Sequence, residues 1–151
     1  MLQNKKYYFI FNLNYSFGKG RLMANKKKVI GDPVVIGGRI LSLSRAIRAG
    51  DFIFLTGQIP MQNGEPMVDG TIEEQTKVIL EDIKSTLKIA ECEMVDVVKS
   101  MVWLRETSDF PGFNKIYGKY FPVEPPARSA VVNQLLVDVR VEIEVIAYKP
   151  V

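Results

Sequence analysis

Arg128 is the residue of this sequence whose setting most favours chemistry. It follows the pair Pro125-Pro126 and precedes a β-type run that starts at Ala130. Because paired prolines hold the backbone extended and end any preceding helix, the guanidinium is carried on a stiff segment. Its five donors in a fixed fork can grip a planar carboxylate through two parallel hydrogen bonds. The pattern leaves open the more ordinary alternative that Arg128 pairs with an acidic side chain of the protein or lies on the surface.

Glu142 and Glu144 are the next candidates, because they alternate with apolar residues in a Val-Glu-Ile-Glu run that is typical of a strand. The 151 residues contain no histidine and one cysteine, Cys92. Ser-His-Asp and Cys-His catalysis are thereby excluded, and no metal site is predicted, since ordinary zinc sites need nitrogen and sulfur ligands. Any chemistry must use arginine, glutamate, serine, threonine, tyrosine, lysine, backbone groups or water.

Length and composition indicate one domain with a substantial core, since 47% of the residues are hydrophobic. A lone cysteine cannot form an intrachain disulfide, which fits a reducing compartment, and we expect a cytoplasmic protein. The chain has 20 basic and 17 acidic residues, but seven of the basic ones lie in residues 1–28, which hold no acid. Residues 29–151 therefore carry a net charge of −4, which argues against specific nucleic-acid binding by the body of the protein.

Residues 1–28 are predicted to be a basic N-terminal extension of a single domain at 29–151. The apolar run at 7–11 is too short to cross a membrane, so no membrane association is expected. Met23 opens a sequence that resembles a natural start. We therefore expect the extension to be disordered, or residues 1–22 to be absent from the native protein.

The rest of the chain predicts the element order β-β-α-β-α-β-β. Alternation and turn residues favour strands at 39–49, 52–56, 95–104, 129–134 and 139–148. A capping box at Thr71 starts a helix that runs to about Ala90, and Thr107 or Ser108 is expected to cap a second helix with Pro111 in its first turn. This order predicts an α+β fold, a mixed sheet with two helices on one face.

Two helices can cover only one face of such a sheet. Apolar residues nevertheless occur in both phases of its strands: Ile53, Leu55, Met101, Trp103, Val132 and Ile146. A large bare apolar face is unusual on a monomer. We therefore expect the uncovered face to pack against identical copies of the chain.

Five sequence blocks together resemble the RidA (YjgF-type) family of reactive imine and enamine deaminases. They occur in the family's order and spacing and span residues 39–149: Ser44 to Asp51, Phe54 to Pro60, Asp109 to Tyr117, Pro125 to Ser129 and Val141 to Ala147. The resemblance implies a chorismate-mutase-like fold of the bacillus type, a homotrimer, and ligand clefts between subunits. It also implies cofactor-free hydrolysis of 2-aminoacrylate-type enamines and imines to 2-keto acids and ammonia, the reaction of a 2-iminobutanoate/2-iminopropanoate deaminase.

The resemblance assigns roles to residues of this chain. Arg128 matches the family arginine that binds the substrate carboxylate, helped by the backbone N–H of Ala130. Glu142 matches the glutamate that orients the attacking water, with Glu144 as the alternative. Three further residues match positions that line the cleft: Thr56, Gly57 and Asn114. A carboxylate can hold water and balance the charge of an iminium, so the reaction does not require histidine.

The chain departs from the family pattern at three places. Leu43 stands where the family often has a tyrosine of the cleft, and Ala130 stands where a cysteine is common. One residue fewer separates Arg128 from Glu142, so the assignment of Glu142 depends on the Val-Glu-Ile-Glu pattern. The departures leave the carboxylate clamp intact and bear on rate and substrate range.

Two other functions remain open for this chain. A protein of the same fold could bind small carboxylates such as keto acids without catalysis, with Leu43 marking the loss of turnover. A ribonuclease or translation-inhibitor role, known for some relatives, is the least favoured because the body is acidic and histidine is absent.

Overall fold

The computed structural model describes residues 27–150. The predicted extension at 1–28 lies outside these residues except for its last two. The elements of the described chain are β1 (Lys28–Ile30), β2 (Val35–Ile36), β3 (Arg39–Ile40), β4 (Ala46–Ala49), β5 (Phe52–Leu55), β6 (Met61–Gln62), β7 (Glu65–Pro66), α1 (Ile72–Ile89), β8 (Val97–Leu104), α2 (Phe110–Tyr120), β9 (Ala127–Val132) and β10 (Val141–Tyr148).

Six of the strands form one sheet in the order β1-β4-β5-β10-β8-β9. Neighbouring strands are antiparallel except β8 and β9, which are parallel. A parallel pair needs a crossover connection, and α2 supplies it between β8 and β9. The predicted mixed sheet with two helices on one face is confirmed, and β9, which begins with the Arg128 segment, is an edge strand.

The predicted strand at 39–49 is wrong in its first half. Gly37 and Gly38 both adopt positive φ angles, which lets the chain turn tightly and pair β2 with β3 as a small hairpin. The Leu41 N–H then donates to the Val34 carbonyl oxygen at 2.9 Å, and the chain re-enters the large sheet only at β4. Two further elements were not predicted from the sequence. They are the three-residue strand β1 and the β6–β7 hairpin.

Helix α1 begins and ends where the sequence predicts. The Thr71 hydroxyl accepts a hydrogen bond from the Glu74 N–H at 3.2 Å, and the Glu74 carboxylate accepts one from the Thr71 N–H at 2.8 Å. The helix buries a stripe that includes Ile79, Ile83 and Leu87, each with 0% exposure. Within the described part of the chain, no helix is both long and apolar enough to span a bilayer.

The predicted caps of α2, Thr107 and Ser108, are wrong. Those residues form a short 3-10 turn, and Asp109 takes the N-cap position without capping the helix through its side chain. Its carboxylate is instead bound by Arg140, whose Nε and Nη2 donate to the same oxygen at 2.9 and 2.7 Å. Pro111 lies in the first turn of the helix, as predicted.

The core lies between the helices and one face of the sheet. On β10, Val141, Ile143 and Val145 point into it, with exposures of 1% or less. Ile53 and Leu55 also belong to this core. The opposite, open face of the sheet carries a large apolar set, which strand register and alternation place together: Val29, Ile47, Phe52, Phe54, Met101, Trp103, Val131, Ile146 and Tyr148.

Replacing Asp109 with alanine should destabilise the fold by about 2–3 kcal/mol, because it leaves the Arg140 guanidinium without its carboxylate. Asp109 is 2% exposed, and its contact ties the start of α2 to the start of β10. The matched control is Asp138→Ala, which removes an ion pair with Arg105 whose carboxylate side chain is 75% exposed. That change should cost less than about 1 kcal/mol. Thermal unfolding at one protein concentration measures the stability of both variants. Equal losses of stability would contradict the larger structural role given to the Asp109–Arg140 ion pair.

Candidate functional site

Arg128 lies on the helix side of the sheet, at its edge. Its partner in the β8–β9 register is Ser100, which is fully buried beneath the helices. The guanidinium carbon lies over the ring of Tyr117, 4.6 Å from its centroid, and Nη2 donates to the side-chain oxygen of Asn114 at 2.9 Å. Ala130 follows two residues later, exposed and on the same side. The structure therefore brings together three of the predicted site residues, Arg128, Asn114 and Ala130.

Arg128 differs from the ion-paired arginines of residues 27–150 in having no carboxylate partner there. Arg45 pairs with Asp82, Arg105 with Asp138, and Arg140 with Asp109. The ordinary alternative, an internal ion pair of Arg128, is wrong for the described chain. A half-buried guanidinium that keeps its charge and most of its donors can bind an external anion.

Glu142 lies on the other side of the sheet. Its partner on β8 is Trp103, so its side chain points to the open face and not toward the helices. Burial raises the pKa of the Glu142 carboxyl, and the negative charge of Glu144 raises it further. Glu144 lies on the same face, two residues along β10. A higher pKa makes this carboxylate a better proton acceptor.

Gly57 is the close neighbour of Glu142. A Cβ built on Gly57 would overlap the Glu142 carboxylate oxygen Oε1, and the backbone of Gly57 is not in the left-handed region. Glycine is therefore needed for space, and the carboxylate fills the room that a side chain would take. The backbone of Gln58 holds this arrangement by exchanging hydrogen bonds with Ile143 at 2.8 and 3.0 Å.

Thr56 and Leu43 lie in the same part of the chain as Gly57. The Thr56 N–H donates to the carbonyl oxygen of Arg45 at 3.1 Å, which ties the end of β5 to the segment that carries Leu43. By alternation with Phe54, the Thr56 side chain points to the open face, like that of Glu142. Leu43 is 42% exposed.

The predicted site is thus split into two halves on opposite faces of one sheet. The arginine half contains Arg128, Asn114 and Ala130, and the glutamate half contains Glu142, Thr56 and Gly57. Within one chain the two halves cannot contact the same small molecule. No cluster of three or more histidine, cysteine, aspartate or glutamate side chains suited to a metal occurs among the described residues.

The family model described as Endoribonuclease L-PSP matches residues 39–149. The chain belongs to the YjgF/RidA/RutC family. Among curated members of this family, a RutC family protein of Pyrococcus horikoshii is 47% identical over 109 residues, which are 70% of this chain and 86% of that protein. The chloroplastic Reactive Intermediate Deaminase A of Arabidopsis thaliana is 34% identical over 128 residues, 81% of this chain and 66% of that protein.

Solved structures from the YjgF/RidA/RutC family share the fold. Yeast Mmf1 superimposes with a TM-score of 0.75 at 29% identity and covers 82% of this chain and 99% of its own. A Rid family protein of Yersinia pestis, YyfA, gives a TM-score of 0.75 at 31% identity with the same coverage. The family resemblance inferred from the sequence blocks is confirmed.

Sequence reasoning missed two features of this site. The contact between Gly57 and Glu142 joins residues that are far apart in the sequence, and it exists because β5 lies beside β10. The second feature is the aromatic stripe of α2, whose exposed Phe110 end lies beneath Arg128. The one available signal was the position of Asn114 beside that stripe.

For the reaction that the family resemblance implies, Gly57→Ala should lower the turnover number about tenfold or more, because the new methyl group displaces the Glu142 carboxylate. Gly118→Ala is the matched control, since a Cβ at that position of α2 meets no atom within 4 Å. In a helix interior this change should leave activity unaltered and stabilise the protein by up to about 1 kcal/mol. Turnover with an enzymatically generated enamine, together with thermal unfolding, separates the two variants. Full activity of Gly57→Ala would show that the Glu142 position does not matter.

Proposed function

We propose that this chain hydrolyses reactive 2-aminoacrylate-type enamines and their imine tautomers to 2-keto acids and ammonia, without a cofactor. The observation that carries the proposal is the state of Arg128. Its guanidinium is held by Asn114 and aromatic rings and has no carboxylate partner in the described chain. The 34% identity to a protein named Reactive Intermediate Deaminase A supports the same reaction class.

Arg128 would act as the clamp for the substrate carboxylate. Two parallel hydrogen bonds fix both the position and the plane of a carboxylate, and the imine carbon is attached directly to that group. The backbone N–H of Ala130, two residues further along β9, would assist. Holding the small substrate in one orientation supplies most of what such a reaction needs, because the imine is already electrophilic.

Glu142 would orient the water that attacks the imine carbon. The enamine first takes a proton at its terminal carbon and loses one from its nitrogen, which gives the imine. Water then adds to the C=N carbon while its proton passes through the Glu142 carboxylate to nitrogen, and the resulting carbinolamine loses ammonia to give the keto acid. The raised pKa of Glu142 suits this transfer, because the group accepts the proton more readily than an ordinary glutamate does.

The cleft would be formed by two copies of the chain in a homotrimer. Arg128, Asn114 and Ala130 come from one copy, and Glu142, Thr56 and Gly57 come from the next. The open apolar face supports this assembly, since Phe52, Phe54 and Tyr148 are each 43% exposed there in the single chain. A mass that matches three chains in light scattering is expected at micromolar concentration.

Mixed trimers test the shared cleft directly. Arg128→Ala and Glu142→Gln chains should each be nearly inactive alone, because every cleft lacks one partner. After co-refolding, each mixed trimer contains about one cleft with both native groups, so an equal mixture should recover about a quarter of wild-type activity. Arg128→Ala mixed with the double variant is the control and should recover nothing. Absence of recovery in mixed trimers of confirmed mass would contradict the two-copy cleft.

The discriminating assay generates 2-aminoacrylate from serine with a dehydratase and follows keto-acid release. Acceleration over buffer supports the deaminase. A wild-type protein that binds pyruvate but gives no acceleration would favour the non-catalytic carboxylate-binding protein. RNA cleavage by the wild-type protein without any acceleration of keto-acid release would favour the ribonuclease role.

A further inference from the structure

Arg128 rests on a strip of three aromatic rings from one side of α2. The rings belong to Phe110, Phe113 and Tyr117, and their centroids lie 5.8, 5.2 and 4.6 Å from the guanidinium carbon. Their spacing of three and four residues places them in a row along the helix. Tyr117 is the nearest ring and is 4% exposed, whereas Phe110 at the outer end is 41% exposed.

The Tyr117 ring is itself held in place from two sides. Its centroid lies 5.2 Å from that of Phe113 and 4.6 Å from that of Phe121. Burial raises the pKa of the Tyr117 phenol, while the Ser100 hydroxyl and the Arg128 guanidinium oppose that rise. Ser100 is the β8 residue paired with Arg128. In the described chain neither hydroxyl has a partner at full hydrogen-bond geometry, so their contact is loose.

A neutral ring and a carboxylate hold an arginine in different ways. At Arg140, two donors go to the carboxylate of Asp109, which also cancels the charge. At Arg128 the ring faces attract the cation through their quadrupoles and occupy none of its N–H groups. The clamp stays ordered, charged and available to a ligand.

We propose that Tyr117 is a positioning residue for the carboxylate clamp: its buried ring fixes the plane of the Arg128 guanidinium without neutralising it. This inference rests on the proposed function of Arg128 as the site of carboxylate binding. Phe113 and Phe110 extend the same support outward, and Asn114 fixes rotation of the guanidinium within its plane.

Pyruvate binding by isothermal titration calorimetry, on the full chain in its native assembly, tests the proposal. Tyr117→Leu removes the ring and should raise the Kd for pyruvate about tenfold, whereas Tyr117→Phe keeps the ring and should stay within about threefold of wild type. Tyr120→Leu is the matched control, because Tyr120 belongs to the same helix and packs against the core, but its ring is not one of the three that lie over the Arg128 guanidinium. It should leave the Kd unchanged at a similar loss of thermal stability.

An NMR signal and a second variant distinguish loss of the ring contact from general loss of structure. The NMR signal of the Arg128 Nε–H should be displaced by ring current in the wild type and move toward its ordinary position in Tyr117→Leu. If Tyr117→Leu does not fold, Phe110→Leu, at the exposed end of the strip, should still raise the Kd about twofold. Equal losses of affinity in Tyr117→Leu and Tyr120→Leu, or an unchanged Kd in Tyr117→Leu, would overturn this inference without touching the proposed function. A wild-type protein that does not bind pyruvate would overturn the clamp itself.

Discussion

Arg128→Ala is expected to lower kcat/KM for enamine hydrolysis by about 100- to 1,000-fold, equivalent to roughly 3–4 kcal/mol of lost transition-state stabilisation. The substitution removes the guanidinium that would bind the substrate carboxylate. It leaves no buried carboxylate unpaired, since Arg128 has no acidic partner in residues 27–150 and its hydrogen bond goes to Asn114. Activity should therefore collapse while the melting temperature changes little.

Arg105→Ala is the control for loss of a positive charge. Its guanidinium is already paired with the exposed carboxylate of Asp138, so kcat/KM should stay within about twofold of wild type. Arg128→Lys should recover only part of the loss, because an ammonium group cannot form the two parallel hydrogen bonds. A fully active Arg128→Ala protein would refute the clamp and leave only the family and fold assignments.

Glu142→Gln should lower the turnover number by about 100-fold or more, because the amide cannot accept the proton of the attacking water. KM should change less, since the proposed clamp for the substrate carboxylate, Arg128, lies in the opposite half of the cleft. Comparing kcat and KM for the same enamine separates the two effects. If Glu142→Gln retained wild-type turnover, a group other than Glu142 would have to orient the attacking water.

Glu142→Gln should also make the protein more stable than wild type at pH values above the ordinary pKa of glutamate. Burial and the charge of Glu144 raise the pKa of Glu142 in the folded protein. Its ionisation is therefore easier in the unfolded chain, and the free energy of unfolding falls as pH rises from the ordinary value through the raised one. Glu142→Gln removes this loss, so its melting temperature should exceed that of wild type at pH 8. The gain should disappear at a pH below the ordinary value.

Glu144→Gln serves as the control for both results. It removes the neighbouring charge, so the pKa of Glu142 should fall and the acidic limb of the pH–rate profile should move to lower pH. Turnover on the plateau should remain close to wild type. If Glu144→Gln is inactive while Glu142→Gln is active, the roles of the two glutamates are reversed.

Local signals in the sequence predicted the parts of the fold that depend on near neighbours. The Thr71 capping box and the apolar stripe of α1 are encoded within a few residues of each other, and both are found. The alternation at 141–145 correctly separated Glu142 and Glu144 from Val141, Ile143 and Val145, which the structure buries on the opposite face of the strand. The position of Arg128 just after Pro125-Pro126 correctly indicated that the arginine lies on an extended segment.

The errors came from contacts between residues distant in the sequence. Asp109 does not cap α2 through its side chain because Arg140, brought close by β10, binds its carboxylate. The row of rings under Arg128 depends on the parallel register of β8 and β9, which no local pattern encodes. The fit of Glu142 against Gly57 likewise requires β5 beside β10.

Arg128 and Glu142 lie on opposite faces of one sheet, so their separation is fixed by the strands themselves. No motion that preserves the strands can bring these two groups together, so under the proposed two-copy cleft a newly synthesised chain would become active only by associating with other copies. Specific activity should therefore fall on dilution below the dissociation threshold, with a lag when concentrated stocks are diluted and when dilute samples are concentrated again.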